Sequence, residues 1–463
     1  FFFKQKTAYE IKECDWSSDV CSSDLKDREI YKRLGWLNNK PDYDIGDLPQ
    51  SRDDLKSELY PKNGDQMWAS YQKYSQACGH QYDDELVLNS IQETYHIAHE
   101  RVENFYPDNT VRLPEFVVPE GKTAIQALTE ASLAGLKKQG LDKKPEYVAR
   151  LKDELMVIKD RGFAKYFLTM KAVSDTSRQM QLCGAGRGSA AGSLISFVLD
   201  ITQVDPIKYG LQFERFIRRD ATDYPDIDFD VSDPMEIKEA MIKEFGENCV
   251  VPISNYNTLQ IRSLIKDISK LYDINFQEVN DVTSKMLFEA TPVCKQLHGI
   301  TAGVYNPTWE ELKEHSPTLV AYLAKYPQVA THVENLQGQI RSISRHAGGV
   351  LFADNLNEKM PLINSGGVIQ TPWTEGQTVR HLEPLGFIKF DVLGLASLRM
   401  VETCIEHILK RHHGIKEPTF KDIKKYYDET LHPDVLDLED QKVYQNVFHN
   451  GKWAGIFQFT ENG

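Results

Sequence analysis

The chain has 463 residues, 41% hydrophobic and 26% charged, an ordinary composition for a folded protein with room for one to four domains. No apolar run approaches the roughly 20 residues that span a bilayer, and the seven cysteines fall without a C-x-x-C pair, which argues for a reducing cytoplasm and against a disulfide framework or a zinc site. The formal net charge of −14 argues against a uniformly basic nucleic-acid-binding surface, but it leaves room for a local basic groove beside clustered carboxylates.

Residues 1–25, FFFKQKTAYEIKECDWSSDVCSSDL, have no helical or strand period and resemble translated sequencing-adapter read-through. They are expected to lie outside any folded domain. Residues 26–108 are polar and mostly helical in pattern; Leu88, Ile91, Tyr95 and Ala98 recur at spacings of three and four, with Val87 beside them. Pro107, Pro114 and Pro119 mark 106–122 as a linker. Val148, Leu151, Leu155 and Ile158 form the next helical stripe, ended at Gly162-Phe163, and Tyr166-Phe167-Leu168 opens another apolar segment. A glycine-rich turn at 184–192 precedes a helix expected from about Ser193, and a short strand is expected at 225–231. Residues 256–335 are again helical and polar. An extended region follows at 347–370, then a strand at 386–392 and a helix over about 395–411. No internal repeat occurs.

Three motifs carry chemistry. In Gly184-Ala185-Gly186-Arg187-Gly188-Ser189-Ala190-Ala191-Gly192, four glycines allow a tight turn and close backbone approach to a ligand. A following helix start would offer free N–H groups to an anion, and Arg187 a fork that fits phosphate oxygens. The same residues also suit a structural turn at a close helix contact, and this is neither a Walker A loop nor a dinucleotide fingerprint. In Tyr224-Pro225-Asp226-Ile227-Asp228-Phe229-Asp230, strand alternation puts three carboxylates on one face and Ile227 and Phe229 behind them. Like charges so placed call for a cation, and hard oxygen ligands suit Mg²⁺, while an exposed acidic turn is the plainer reading. In Gly386-Phe387-Ile388-Lys389-Phe390-Asp391, Lys389 and Asp391 share a face. That pair matters only if its strand lies beside the first. His80, His96 and His99 are read as ordinary surface or packing histidines.

Taken in order, Gly-Arg-Gly-Ser, Glu214-Arg215-Phe216, the Pro-Asp-x-Asp-x-Asp run, Arg345-His346-Ala347-Gly348-Gly349, Lys389-Phe390-Asp391-x-Leu-Gly-Leu and the closing Ala454-Gly455-Ile456-Phe457-Gln458-Phe459 resemble the bacterial-type family C replicative DNA polymerases, the DNA polymerase III alpha subunits. The resemblance covers residue 26 to the end. It implies an α/β fold: a polymerase-beta-like nucleotidyltransferase palm with a mixed sheet, an inserted helical thumb and truncated helical fingers. Domains are expected at 26–108 (the end of a PHP domain and a helical connection), 109–255 and 336–397 (palm), 256–335 (thumb) and 398–463 (the start of the fingers). No PHP metal site is assigned. The chain reads as a fragment cut at both ends and inactive in isolation.

The resemblance further implies template-directed addition of deoxynucleotides to a primer 3′ end by two-metal nucleotidyl transfer. Asp226, Asp228 and Asp391 would be the catalytic and metal-binding residues for two Mg²⁺ ions. Gly186, Arg187, Gly188, Ser189, Arg215 and Lys389 would bind the incoming nucleotide, while the ligand role of Asp230 stays open. Implied partners are primer–template DNA, deoxynucleoside triphosphates and, for the full-length protein, a sliding clamp and clamp-loader subunits. No membrane association is expected. Two other functions remain to be weighed: a non-catalytic palm-like module that binds DNA or a partner, and a template-independent nucleotidyltransferase.

Overall fold

A computed structural model describes Leu34 and residues 62–79, 81–103, 108–220, 224–301, 303–376 and 379–456. The adapter-like segment 1–25, His80 and Phe457–Phe459 of the closing motif lie outside the described residues. The described residues divide into two compact units: 108–255 with 344–456, and Leu34 and 62–103 with 256–343.

The first unit is mixed α/β. Its helices begin with α1 (Ala124–Lys138), α2 (Pro145–Arg161) and α3 (Ala164–Met180). Proline at the first turn of α2 costs no hydrogen bond there, and Gly162 closes the helix in the left-handed conformation at φ 73°, as the Gly162-Phe163 signal predicts. Then come β1 (Asp228–Val231), α4 (Pro234–Phe245) and β2 (Val250–Thr258). After a long insertion, β3 (Ile340–Phe352), β4 (Ile363–Ser365), β5 (Val368–Gln370) and β6 (Lys389–Gly394) follow. The unit continues through α5 (Ala396–His412) and α6 (Phe420–Thr430).

The principal sheet has the order β1-β6-β3-β2. β1 runs parallel to β6 and β3 antiparallel to it, so the sheet is mixed. Alternation sorts its side chains. Ile227, Phe229, Val231, Val350, Phe352, Phe390 and Val392 join the core built on α1 to α4. Leu351, one residue out of phase, packs into a second cluster with Val251, Ile253 and Leu382. The carboxylates of β1 and β6 therefore lie on the face turned away from the α1–α3 core. Behind β6, Tyr166 of α3 stacks on Phe390 with ring centroids 4.9 Å apart, and its hydroxyl accepts a hydrogen bond from the backbone N–H of Ile227. The lead-in to β1 is thus tied to the helix layer.

Several boundaries move. The expected strand at 225–231 starts only at Asp228, and that at 386–392 is shifted to 389–394. The extended region begins earlier than 347, because β3 starts at Ile340.

The second unit is mainly helical among its described residues, with the last residues of β2 (256–258) and the first of β3 (340–343) falling within its bounds. Helices over Ile261–Leu271, Phe276–Leu297, Trp309–His315, Pro317–Lys325 and Pro327–Leu336 bury Leu264, Ile268, Met286, Trp309 and Val333 in a common core. The helix expected around Leu88 is present as Asp84–His96, but none of its residues is buried. Its stripe has a helical period without the burial that such a period normally signals.

Candidate active site

Asp228 and Asp391 are directly paired in the β1–β6 register, so parallel alignment sends both side chains to the same face. Asp226 joins them from the segment before β1. Each of the three offers a ligand oxygen, and these atoms lie within 4.8 Å of one another. Asp391 is the most enclosed, at 7% exposure. Its Oδ2 receives Lys389 Nζ at 2.9 Å, but its Oδ1 is buried without a hydrogen-bond partner. A carboxylate oxygen in that position costs free energy unless a donor or cation reaches it.

Electrostatics carry the same signature. Burial, then the charges of Asp228 and Asp391, push the carboxyl of Asp226 up from the usual carboxylate range. Asp228 is also pushed up, chiefly by burial; the Arg187 guanidinium opposes the shift, and Asp391 and Asp230 reinforce it. Asp226 and Asp228 thus hold protons more readily than free aspartates do, as expected of like charges awaiting a counter-ion.

Asp230 separates from the three. It is 9% exposed, and its Oδ1 meets Nη1 of Arg187 at 3.1 Å. Arg187 also reaches Asp228, Nε to Oδ2, at 3.7 Å. The guanidinium expected to grip phosphate therefore bridges the two aspartates of the neighbouring strand β1, Asp228 and Asp230. The glycine turn itself is bound to β1: Gly184 N–H donates to Asp230 O at 2.8 Å, and a Cβ on Gly184 would lie 2.9 Å from that of Asp230. Gly188 sits at φ 64°, a left-handed conformation, with Asp228 Oδ2 3.9 Å from where its Cβ would be. That value brings the exposed Gly186–Ser189 stretch beside the carboxylates.

One expectation fails. The helix after the turn has only five residues, Leu194–Val198, and its first N–H groups face no anion site. Leu194 N and Ile195 N donate to the carboxylate of Glu154, as does Ser193 Oγ. Arg150 pairs with Glu154 at 2.7 Å and donates to Gly192 O and Leu211 O. A fully buried carboxylate from α2 therefore fixes the exit of the turn, and phosphate binding there would fall to the turn and its side chains. Arg215 is exposed on the short 3-10 turn Phe213–Arg215, which packs against the 3-10 turn Gly188–Gly192. No described contact joins Arg215 to the aspartates.

The aspartate cluster, the glycine turn beside it and the Lys389–Asp391 pair meet a known family. Residues 124–394 match the family described as the bacterial DNA polymerase III alpha NTPase domain, a span that includes every site residue named above. The chain belongs to this family. It is 33% identical over 316 residues to the DNA polymerase III subunit alpha of Yersinia pestis, covering 67% of this chain and 24% of that protein. Against the subunit alpha of Aquifex aeolicus (strain VF5) it is 30% identical over 393 residues, covering 77% and 31%. Against that of Bacillus subtilis (strain 168) it is 29% identical over 360 residues, covering 76% and 29%. The chain thus spans about a quarter to a third of the length of these curated DNA polymerase III alpha relatives.

Within this member of the polymerase III alpha family, sequence reasoning missed the supports of the site. Glu154 and Tyr166 lie in ordinary amphipathic helices. Glu154 could have been flagged as an acid on the buried stripe of α2, where a charge needs partners. Nothing local marks Tyr166, because its partners arrive from 61 positions (227 − 166) and 224 positions (390 − 166) later in the chain. Among the described residues, no helix is long and apolar enough to cross a membrane.

Proposed function

We propose that this chain carries the nucleotidyl-transfer centre of a DNA-directed DNA polymerase that extends a primer 3′ end on a template. The observation that carries the reading is the aspartate cluster, with its buried, unpartnered Asp391 Oδ1. The residues fit a hard divalent cation: all three ligands are carboxylate oxygens, a donor set that suits Mg²⁺. Asp226, Asp228 and Asp391 would hold two such ions, which in this chemistry activate the 3′-hydroxyl and neutralise charge on the triphosphate.

The chain's own groups then have separable tasks. The aspartates orient the site and supply its negative charge. Gly186, Arg187, Gly188 and Ser189 form the wall nearest the incoming triphosphate. Gly188 permits close backbone approach, and Arg187 and Lys389 exchange carboxylate partners for phosphate oxygens. Arg215 lies on the turn that backs this wall. Residues 109–255 and 336–397 correspond to a polymerase-beta-like palm, 256–335 to the thumb, 398–463 to the start of the fingers, and 26–108 to the end of a PHP domain. Primer–template DNA, deoxynucleoside triphosphates and, in a longer protein, a sliding clamp and its loader would be the partners, in the cytoplasm.

Mn²⁺ titration followed by electron paramagnetic resonance tests the centre. Wild-type chain should bind Mn²⁺, and Asp228→Asn and Asp391→Asn should lose most of that binding while staying folded. Equal binding in all three would refute it. Primer extension with and without template separates the template-directed reading from a template-independent transferase.

A further inference from the structure

The Arg345-His346-Ala347-Gly348-Gly349 motif has no task in the site described so far. It lies on β3, where Gly349 is the register partner of Asp391. Beside it is an open cavity of about 480 Å³ lined by Met235, Ser344, Arg345, His346, Ala347, Ser365 and Gln370. Resting on the polymerase reading above, we propose that Arg345, His346 and Gln370 form a binding site for a backbone phosphate of the primer strand near its 3′ end.

Four observations converge on an anion. Arg345 is exposed and makes no ion pair among the described residues, so its guanidinium is available as a bidentate donor. His346 Nδ1 accepts from the N–H groups of Gly348 at 3.2 Å and Gly349 at 2.7 Å. That geometry needs an unprotonated Nδ1, which puts the ring proton on Nε2 and makes the other nitrogen a donor. Behind the bend, Lys238, only 3% exposed, donates to His346 O and Ala347 O. It fixes the motif and adds positive charge to the wall. Finally, Gln370 is fully buried at the cavity with neither end of its amide hydrogen-bonded. A hydrated phosphodiester satisfies both ends: its oxygens accept from Nε2 and its water shell donates to Oε1.

The position selects the strand. Three residues along β3 from His346, Gly349 is paired in register with Asp391, so the motif lies on the strand next to the carboxylate at which a primer 3′-hydroxyl must lie. A strand ending there passes the motif with its last phosphates. The contact is to the backbone, so it positions the primer without reading sequence.

The test uses the 463-residue chain and fluorescein-labelled primer–template DNA, with Mn²⁺ binding measured on the same samples. Arg345→Gln should weaken DNA binding about 10-fold, as expected for loss of a charge-assisted bond, and flatten the salt dependence by about one unit of slope. Gln370→Met, chosen to keep volume, should weaken binding while its thermal midpoint stays near wild type. Primers carrying a single neutral methylphosphonate near the 3′ end locate the contact. One linkage should weaken wild-type binding and have no further effect on Arg345→Gln. Unchanged DNA affinity in Arg345→Gln overturns the proposal, as does equal sensitivity of both proteins at every linkage. So does an Arg345→Gln defect confined to competition by inorganic pyrophosphate, which would assign the phosphate to a free nucleotide. Each of these failures beside intact Mn²⁺ binding removes the primer site alone, whereas absent Mn²⁺ binding removes the metal centre.

Discussion

Asp228 and Asp391 stand 163 positions apart in the chain (391 − 228) and directly opposite each other across two parallel strands. The pairing turns two weak sequence signals into one site, because each motif alone is compatible with a surface strand. The price is electrostatic: Asp226 and Asp228 lose hydration beside like charge, and both resist ionisation.

Metal should therefore stabilise the fold. A cation that binds the native cluster and not the unfolded chain raises the unfolding free energy by mass action, about 2.7 kcal/mol at a hundredfold excess over the dissociation constant. The thermal midpoint of the wild-type chain should rise with Mg²⁺ or Mn²⁺ and fall back on chelation. In Asp391→Asn the rise should disappear, since the buried Oδ1 that lacks a partner no longer carries charge. A metal-induced shift of equal size in the variant would contradict the assignment.

The pH dependence follows from the direction of the shifts. Burial first, then neighbouring carboxylates, raise Asp226; burial first, against the pull of Arg187, raises Asp228. The native state therefore holds protons that the unfolded state has already released. Without metal, this lowers stability as pH rises from the unfolded carboxylate value through the higher native one, with the penalty complete above it. Relative to an Asp226→Asn, Asp228→Asn double variant, the wild-type protein should lose stability across that window when measured by urea unfolding with chelator. Saturating Mg²⁺ should reverse the trend, because metal binding displaces the retained protons. Parallel profiles for the two proteins would show that the cluster does not titrate as described.

Arg187 gives a prediction with two signs. Its guanidinium bridges Asp228 and Asp230 in the place a metal would partly neutralise. Arg187→Gln should tighten Mn²⁺ binding in the absence of nucleotide, by about two- to fivefold if the pair is worth up to about 1 kcal/mol. The same substitution should weaken triphosphate binding, which gains from the guanidinium fork. Calorimetric titrations with Mn²⁺ alone and then with nucleotide would read both. A loss on both counts would make Arg187 a structural clamp of the aspartates instead.

The sequence made legible what depends on short-range periodicity. The alternation of Asp226 to Asp230 around Ile227 and Phe229 places the acids on one face, and Ile227 and Phe229 are indeed buried. The stripe at Val148–Ile158 lies on a helix whose Leu151 and Ile158 are in the core. What stayed open or failed was decided by distant partners. The role of Asp230, which the sequence leaves open, is decided by a hydrogen-bonded pair with Arg187, a contact across 43 positions (230 − 187). The helix after Ser193 could not serve an anion, because Glu154 already occupies its N–H groups. The β3 start at Ile340 was hidden, because Arg341 to His346 carry no apolar alternation to announce a strand.

The glycine turn offers the sharpest contrast between stability and nucleotide binding, provided the variants are chosen for their geometry. Gly188→Val cannot separate the two: at φ 64° a side chain meets left-handed strain of roughly 1–2 kcal/mol, so fold and ligand suffer together. Ser189 is exposed, and Ser189→Ala removes a hydroxyl at little structural cost. Its unfolding midpoint in urea should match wild type. If the hydroxyl donates to a triphosphate oxygen, nucleotide binding with Mg²⁺ should fall roughly 10- to 150-fold, the equivalent of about 1.5–3 kcal/mol. Glu154→Ala should do the reverse. It leaves Arg150 and the N–H groups of Leu194 and Ile195 without their buried acceptor, a loss of about 3–5 kcal/mol for a broken buried pair. Glu154→Gln should restore part of that stability, because its carbonyl oxygen can still accept one or two of the bonds. Measured together by urea unfolding and fluorescent-nucleotide anisotropy, Ser189→Ala should move only the binding curve, and Glu154→Ala should first move the unfolding curve. A Ser189→Ala protein that binds nucleotide like wild type would leave Gly186–Ser189 as a turn that shapes β1, with no direct hand on the phosphates.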